Sequence, residues 1–134
     1  MPGRLSRAQL SAELPSRPMY AKDGQRDGRS GATLVGYLDD QHPFATGSVP
    51  GELIAELEHL AATSYVGWRG YHYCELCSGP AEQRARCSRD IVLEIDGRRY
   101  QSPAMIAHYI REHGYCPPAE YLDLIRRHRE ERRP

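Results

Sequence analysis

The sequence predicts an α+β domain with a small antiparallel sheet, three helices and a zinc-stabilised ββα module. Three observations predict it. Cys74 and Cys77 form a Cys-x2-Cys pair, residues 91–101 alternate like a hairpin, and His108 and His113 lie on an apolar helical segment. A cysteine pair, then a hairpin, then a helix carrying histidines is the order of elements in a ββα zinc module.

Length and composition predict one domain with a modest core. The chain has 134 residues, a hydrophobic fraction of 40% and a mean hydropathy of −0.68. A polar-rich domain of this kind is often stabilised by a structural metal ion. Lys and Arg together number 18, and Asp and Glu together number 18. The formal net charge is therefore zero, and the chain as a whole has no excess positive charge that would attract polyanions. Arginine supplies every one of these cations except Lys22.

Two absences in the sequence predict a cytoplasmic setting. No run of 18 apolar residues suggests a membrane span, and the N-terminus lacks the apolar region of a secretory signal. Four cysteines would suit two disulfides in an exported chain, but a metal site fits a reducing cytoplasm better.

The first part of the chain divides into an arm and the start of the domain. Residues 1–32 are predicted to be a flexible N-terminal arm, and residues 33–134 a single zinc-stabilised globular domain. Within the arm, residues 4–14 have a weak helical pattern. Residues 21–32 contain three glycines and no large apolar group, which predicts a mobile loop.

The next elements follow from apolar periodicity. Residues 33–38 read as a strand. Residues 50–63 read as a helix with Ser48 as its capping residue and Pro50 in its first turn. Residues 65–73 are aromatic and interrupted by glycine, which leaves a strand and a packed loop both open. The helix predicted at residues 50–63 has apolar residues at helical spacing: Leu53, Ile54, Leu57, Leu60 and Ala61. It places Glu52, Glu56 and Glu58 on other faces.

The second half contains the predicted hairpin and two further helices. Residues 78–90 are polar and read as irregular, and Asp96-Gly97 is a turn dipeptide that tolerates positive φ. A helix over 103–113 ends at Gly114, and a third helix covers about 118–129 after two prolines. We expect the helices at 50–63 and 103–113 to pack on the sheet.

The predicted metal ligands are Cys74, Cys77, His108 and His113, holding a structural Zn²⁺. Thiolate sulfur and imidazole nitrogen are the ligands that tetrahedral zinc prefers. The two histidines are five positions apart, about 140° around an ideal helix. Both can therefore face one ion if the last helical turn is distorted.

Alternatives to this ligand set stay open. The four residues could instead be buried thiols and surface histidines, since 30 residues separate the pairs and short fingers have 12–15 there. Cys116 could replace a histidine as the fourth ligand. Cys87 is expected to be a free thiol. His72 is either an outer partner of the metal site or a half-buried member of the aromatic run.

Three stretches of the chain, residues 36–50, 70–77 and 108–118, resemble a set of small uncharacterised bacterial proteins. These proteins are mostly actinobacterial and share a Cys-x2-Cys … His-Tyr-x3-His-x3-Pro-Pro pattern. The resemblance covers about residues 34–126 and leaves the arm outside. It implies that the residues of the pattern are Cys74, Cys77, His108 and His113, in a bacterial cytosolic protein, and it implies no reaction.

Three functions are compatible with these features. The first is a non-catalytic module that recognises a protein partner, because tyrosine and arginine are enriched in interfaces. The second is a nucleic-acid-binding, zinc-finger-like regulator with arginines near the site in sequence: Arg84, Arg86, Arg89, Arg98, Arg99 and Arg111.

The third function is a zinc-supported ββα nuclease-like enzyme. It would need a second metal, for which His72 with Glu75, or His128, would have to serve. Neither His-Glu-x-x-His nor a deaminase signature occurs, so no catalytic residue is predicted. The sequence leaves the oligomeric state open.

Overall fold

The computed structural model describes residues 20–133, which form an α+β fold with a four-stranded sheet and three helices. The helix predicted at residues 4–14 lies outside the described residues. In chain order the elements are β1 (Thr33–Leu34), α1 (Gly51–Thr63), β2 (Tyr65–Tyr73), a 3-10 turn (Ala81–Gln83), β3 (Arg86–Ile95), β4 (Arg98–Pro103), α2 (Ile106–His113) and α3 (Ala119–Arg132).

The sheet is mixed, which corrects the expectation of an antiparallel one. Its strand order is β1-β4-β3-β2, and β1 runs parallel to β4 with Thr33 beside Tyr100. The strand predicted over 33–38 ends at Leu34, and its last hydrogen bond to β4 is donated by the Val35 N–H to the carbonyl oxygen of Gln101 at 3.0 Å. Gly36, at φ +87°, then redirects the chain, a conformation that glycine adopts without steric cost.

The hairpin of β3 and β4 is longer than the sequence suggested. Asp96 and Gly97 both have positive φ, at 52° and 76°, as a two-residue primed turn requires. Residues 86–90, expected to be irregular, belong to β3 because β2 pairs with them. The run 65–73 is therefore a strand, with a register shift between Gly67 and His72.

The helices cover one face of the sheet and enclose the core. Helix α1 contacts α2, α3, β2 and β3. None of the helices within residues 20–133 has the length and apolar character needed to cross a membrane. The fully buried side chains include leucines and isoleucines from the helices and β3, together with four tyrosines: Leu53, Leu57, Leu60, Ile91, Ile106, Ile125, Tyr37, Tyr109, Tyr115 and Tyr121.

The described part of the predicted arm is hydrogen-bonded to the domain. The carboxylate of Asp23 accepts hydrogen bonds from the Tyr115 hydroxyl at 2.7 Å and from the Gly36 N–H at 2.9 Å. Ala21 and Ala32 are buried. The boundary near residue 32 and the flexibility of the arm stay predictions, since residues 1–19 are outside the described range.

Glu56 is buried beneath α3, whereas the sequence placed it on another face of α1. Its side chain is 1% exposed. Arg132 donates a hydrogen bond of 2.6 Å to one carboxylate oxygen, and the Nδ1 atom of His128 lies 2.7 Å from the other. The helical pattern of α1 could not show that a second helix would cover this face. Pairing offsets the cost of burying the charge.

Candidate metal centre

The two cysteines lie in the short connection between β2 and β3. Cys74 follows the last residue of β2, and its N–H donates a hydrogen bond of 2.8 Å to the carbonyl oxygen of Ala85. This bond continues the pairing of β2 with β3 and closes the loop that contains Cys77. Cys74 is wholly buried and Cys77 partly buried. The sheet register thereby fixes where both sulfur atoms lie.

The two histidines lie on α2, whose last turn is wider than an α-helical turn. The N–H groups of Gly114 and Tyr115 both donate to the carbonyl oxygen of Tyr109, five and six residues earlier. The five-residue bond has the span of a π-type turn, and the six-residue bond closes the helix end around Gly114, which has a left-handed conformation. The ring centroids of His108 and His113 are therefore 5.0 Å apart. The distortion that a five-residue spacing requires is present.

The four side chains converge on one point. His108 Nε2 lies 3.2 Å from Cys77 Sγ, while His113 Nε2 lies 3.5 Å from that sulfur and 3.6 Å from Cys74 Sγ. All four donor atoms lie within 4.8 Å of one another. Ligands 2.0–2.3 Å from a tetrahedral ion are about 3.5 Å apart, so the cluster is compatible with a metal site.

The surroundings of the donors affect their protonation. Burial raises the pKa of the Cys74 thiol to about 11. Burial, and secondarily the neighbouring His113, lowers the pKa of His108. Neutral imidazole is the form that binds metals, and a metal ion would itself favour loss of the thiol proton.

The other residues considered from sequence are not part of this cluster. The Cys116 Sγ contacts the carbonyl oxygen of Pro117 at 3.6 Å and is absent from the group that the described residues form. Cys87 is buried and lies opposite His72 in the register of β2 with β3. Whether His72 supports a bound metal stays a prediction.

The acidic and basic residues that a nuclease would need are engaged elsewhere. Burial, and then a hydrogen bond to Asp40, raises the pKa of Glu75. His128 contacts the buried Glu56 on α3, as described above. Among residues 20–133, the Cys and His cluster is the one group of metal-ligating side chains, and it includes neither Glu75 nor His128.

A groove of about 550 Å³ adjoins the centre and was not predicted from the sequence. His108 contributes to its wall. The sequence does show Tyr71 in β2 and Arg86 and Arg89 in β3, but only the strand register brings them together. We call it the Tyr–Arg groove; it is lined by Glu58, Ala61, Ala62, Tyr71, Arg86, Cys87, Ser88, Arg89, Ala104, Met105, Ala107 and His108.

Comparison with known proteins identifies a family without assigning a function. Residues 13–126 match the family described as a domain of unknown function, DUF7919. No curated protein and no solved structure matches the chain. Since the match spans most of the sequence, the chain belongs to the DUF7919 family.

Proposed function

We propose that this member of the DUF7919 family is a non-catalytic binding module, stabilised by a structural zinc ion, that recognises a protein partner. The spacing of the four donor atoms carries the proposal. Two sulfurs and two imidazole nitrogens, all within 4.8 Å of one another, supply the complete ligand set of a structural zinc site. A catalytic zinc keeps one position for water or substrate, and four protein ligands leave none.

Zinc would connect parts of the chain that are distant in sequence. It would tie the loop between β2 and β3 to the end of α2, across a separation of 31 to 39 residues. Metal binding of this type contributes directly to folding free energy, because the site does not exist in the unfolded chain. A domain with a modest core gains most from such a link.

Recognition of a protein is supported by the distribution of aromatic side chains. Four of the nine tyrosines are fully buried and fill the core. Tyr65 and Tyr71 are the large hydrophobic side chains that the described residues expose, at 47% and 56%. Each carries an arginine stacked on its ring, and tyrosine and arginine are enriched among residues that dominate binding energy.

The nucleic-acid alternative receives less support from the arginines near the site. Arg98 pairs with Glu120, Arg99 with Glu94 and Arg111 with Glu58. Half of the six arginines grouped in the sequence are thus neutralised by carboxylates. A phosphate-binding surface needs cations that remain available.

The test of the metal is a measurement of content and geometry. Native mass spectrometry of chain purified without added metal should give one zinc per chain. Replacement by Co²⁺ should give the absorption of a tetrahedral ion with thiolate ligands. A matched Cys116→Ser variant should behave identically. No bound metal, or a five- or six-coordinate cobalt spectrum, would contradict a closed structural site.

A further inference from the structure

We infer that the Tyr–Arg groove binds an acidic segment of a protein partner, with carboxylate side chains paired to Arg86 and Arg89. The inference rests on the proposed function, because it names the chemistry of the partner that the module recognises. It is carried by the shape of the groove, the fixed orientation of its arginines and its local charge.

The groove has the dimensions of a site for a few side chains. It is a shallow depression of about 550 Å³ that is widely open to solvent, as a site for an exposed peptide segment would be. The C-terminal half of α1 forms one wall, and the first residues of β3 form another. Four alanines leave room between them: Ala61, Ala62, Ala104 and Ala107. An extended peptide could place small or apolar side chains against this lining.

Both arginines are held in place by aromatic rings. The guanidinium carbon of Arg86 lies 4.2 Å from the centroid of Tyr71, and that of Arg89 lies 4.1 Å from the centroid of Tyr65. Arg89 also donates a hydrogen bond of 3.3 Å to the carbonyl oxygen of Ala61. A stacked guanidinium keeps its N–H edge available for a carboxylate. Because the side chains are already ordered, binding costs less conformational entropy.

The charge of the groove is not neutralised locally. Among residues 20–133, six arginines pair with carboxylates, but none of the ion pairs involves Arg86 or Arg89. Glu58, the one acidic residue of the lining, pairs with Arg111. The six paired arginines are Arg98, Arg99, Arg111, Arg126, Arg127 and Arg132.

A short acidic segment fits this pattern better than a nucleic acid. Tight binding of a nucleic acid requires cations that neutralise many phosphates in succession. Here two available arginines face α1, a helix that has Glu52, Glu56 and Glu58 and no lysine or arginine. On the side of α1 the positive charge therefore ends at the groove, and the two arginines that line it suit one or two carboxylates.

The test is selection of random peptides displayed against the metal-loaded full chain. We expect the selected peptides to be enriched in Asp and Glu. A synthetic copy of one should bind Arg86→Gln at least tenfold more weakly than the wild type, and should weaken with added salt. Arg126→Gln, which removes an exposed arginine from α3, is the matched control and should bind unchanged.

Each other outcome would overturn the inference. Selected peptides without acidic residues, and with equal affinity for Arg86→Gln, would place the partner on another surface and leave the proposed function intact. Displacement of the peptide by a ten-nucleotide oligothymidine that binds more tightly would assign the groove to nucleic acid. Failure to select any peptide would contradict protein recognition as well, while the metal measurement judges the structural zinc separately.

The variant must fold for this comparison to count. Arg86 is exposed, so Arg86→Gln should melt within about 2 °C of the wild type. Tyr71→Ala supplies a second variant, because it removes the ring on which Arg86 is stacked. Its affinity for the selected peptide should also fall, whereas an unchanged affinity would argue that the stacking does not prepare the site.

Discussion

The Nε2 atom of His108 lies 3.2 Å from the Sγ atom of Cys77, although the two residues are 31 positions apart in the chain. One belongs to a helix and the other to the loop between two strands. No covalent bond or regular backbone pairing joins these places directly. An ion at this point would connect the sheet to the helical layer, so the stability of the domain should depend on it.

Removal of one imidazole tests this dependence. His108→Ala should lose the metal and lower the melting temperature by at least about 15 °C, since structural zinc binding is worth several kcal/mol and each kcal/mol shifts the melting temperature by about 4–8 °C in a small domain. Differential scanning calorimetry together with metal analysis measures both effects. Cys116→Ser is the control, and we expect it to retain metal and melting temperature. Retention of both by His108→Ala would refute the ligand assignment.

Chelation of the wild-type protein should have the same effect as the substitution. A strong chelator should unfold the domain at temperatures where the metal-loaded protein is folded, and added Zn²⁺ should restore the circular dichroism spectrum. The experiment uses His108→Ala as the control, because a chain without metal cannot respond further. A melting curve that the chelator leaves unchanged would mean that packing alone holds α2 against the cysteine loop.

The buried carboxylate of Glu56 should contribute to stability through its two partners. Glu56→Gln removes the ion pair with Arg132 and should lower the free energy of unfolding by about 2 kcal/mol, discounted because Arg132 is 43% exposed. Urea denaturation at neutral pH measures the change. Glu52→Gln, an exposed position on the same helix, should stay within about 0.5 kcal/mol. Equal effects of the two variants would contradict a specific role for the pair.

The same carboxylate predicts a dependence of stability on pH. A hydrogen bond from Arg132, and secondarily from His128, lowers the pKa of Glu56 below its ordinary value of 4.5. The folded state therefore binds this proton less readily than the unfolded state. The contribution is complete above the unfolded pKa and is lost as the pH falls through the folded pKa. The free energy of unfolding, measured from about pH 6 to pH 3, should decline less steeply for Glu56→Gln than for the wild type. Parallel curves for the two proteins would show that Glu56 does not cause the pH dependence.

Gly36 occupies a position that a larger residue cannot adopt without strain. Its φ is +87°, and a Cβ atom added there would lie 2.9 Å from the Cδ1 atom of Ile106. Gly36→Ala should therefore cost about 2 kcal/mol or more. Gly28→Ala is the control, because Gly28 has open space around it. Thermal denaturation of both variants checks the difference, and a neutral Gly36→Ala would show that the backbone can turn differently after β1.

The features that could be predicted from sequence are those encoded by local spacing. The two residues between Cys74 and Cys77 allow both sulfur atoms to approach one point, and Asp96-Gly97 defines its own turn. The apolar spacing of α1 predicts that helix within one residue of its observed start. To predict that the cysteines lie near the histidines, it was enough to predict that the segment between them forms a hairpin. For these features a short segment of chain contains the physical cause.

The features that could not be predicted depend on contacts between distant segments. The parallel pairing of β1 with β4 joins two residue pairs that are far apart in the chain. The apolar periodicity of a single segment does not predict such a pairing. The burial of Glu56 requires α3 to lie across α1. The stacking of Arg86 on Tyr71 follows from the register of β2 with β3. Each depends on tertiary packing, which overrides local propensity.

The long separation between the cysteine pair and the histidines has a consequence during synthesis. Cys74 and Cys77 leave the ribosome before His113, and at about 5–20 residues per second the delay is roughly two to seven seconds. Until His108 is synthesised, a nascent chain can offer an ion two thiols but no imidazole from α2, and until His113 follows it can offer only one. Binding of a metal ion by all four residues would therefore have to wait until translation has passed the wide turn at Gly114.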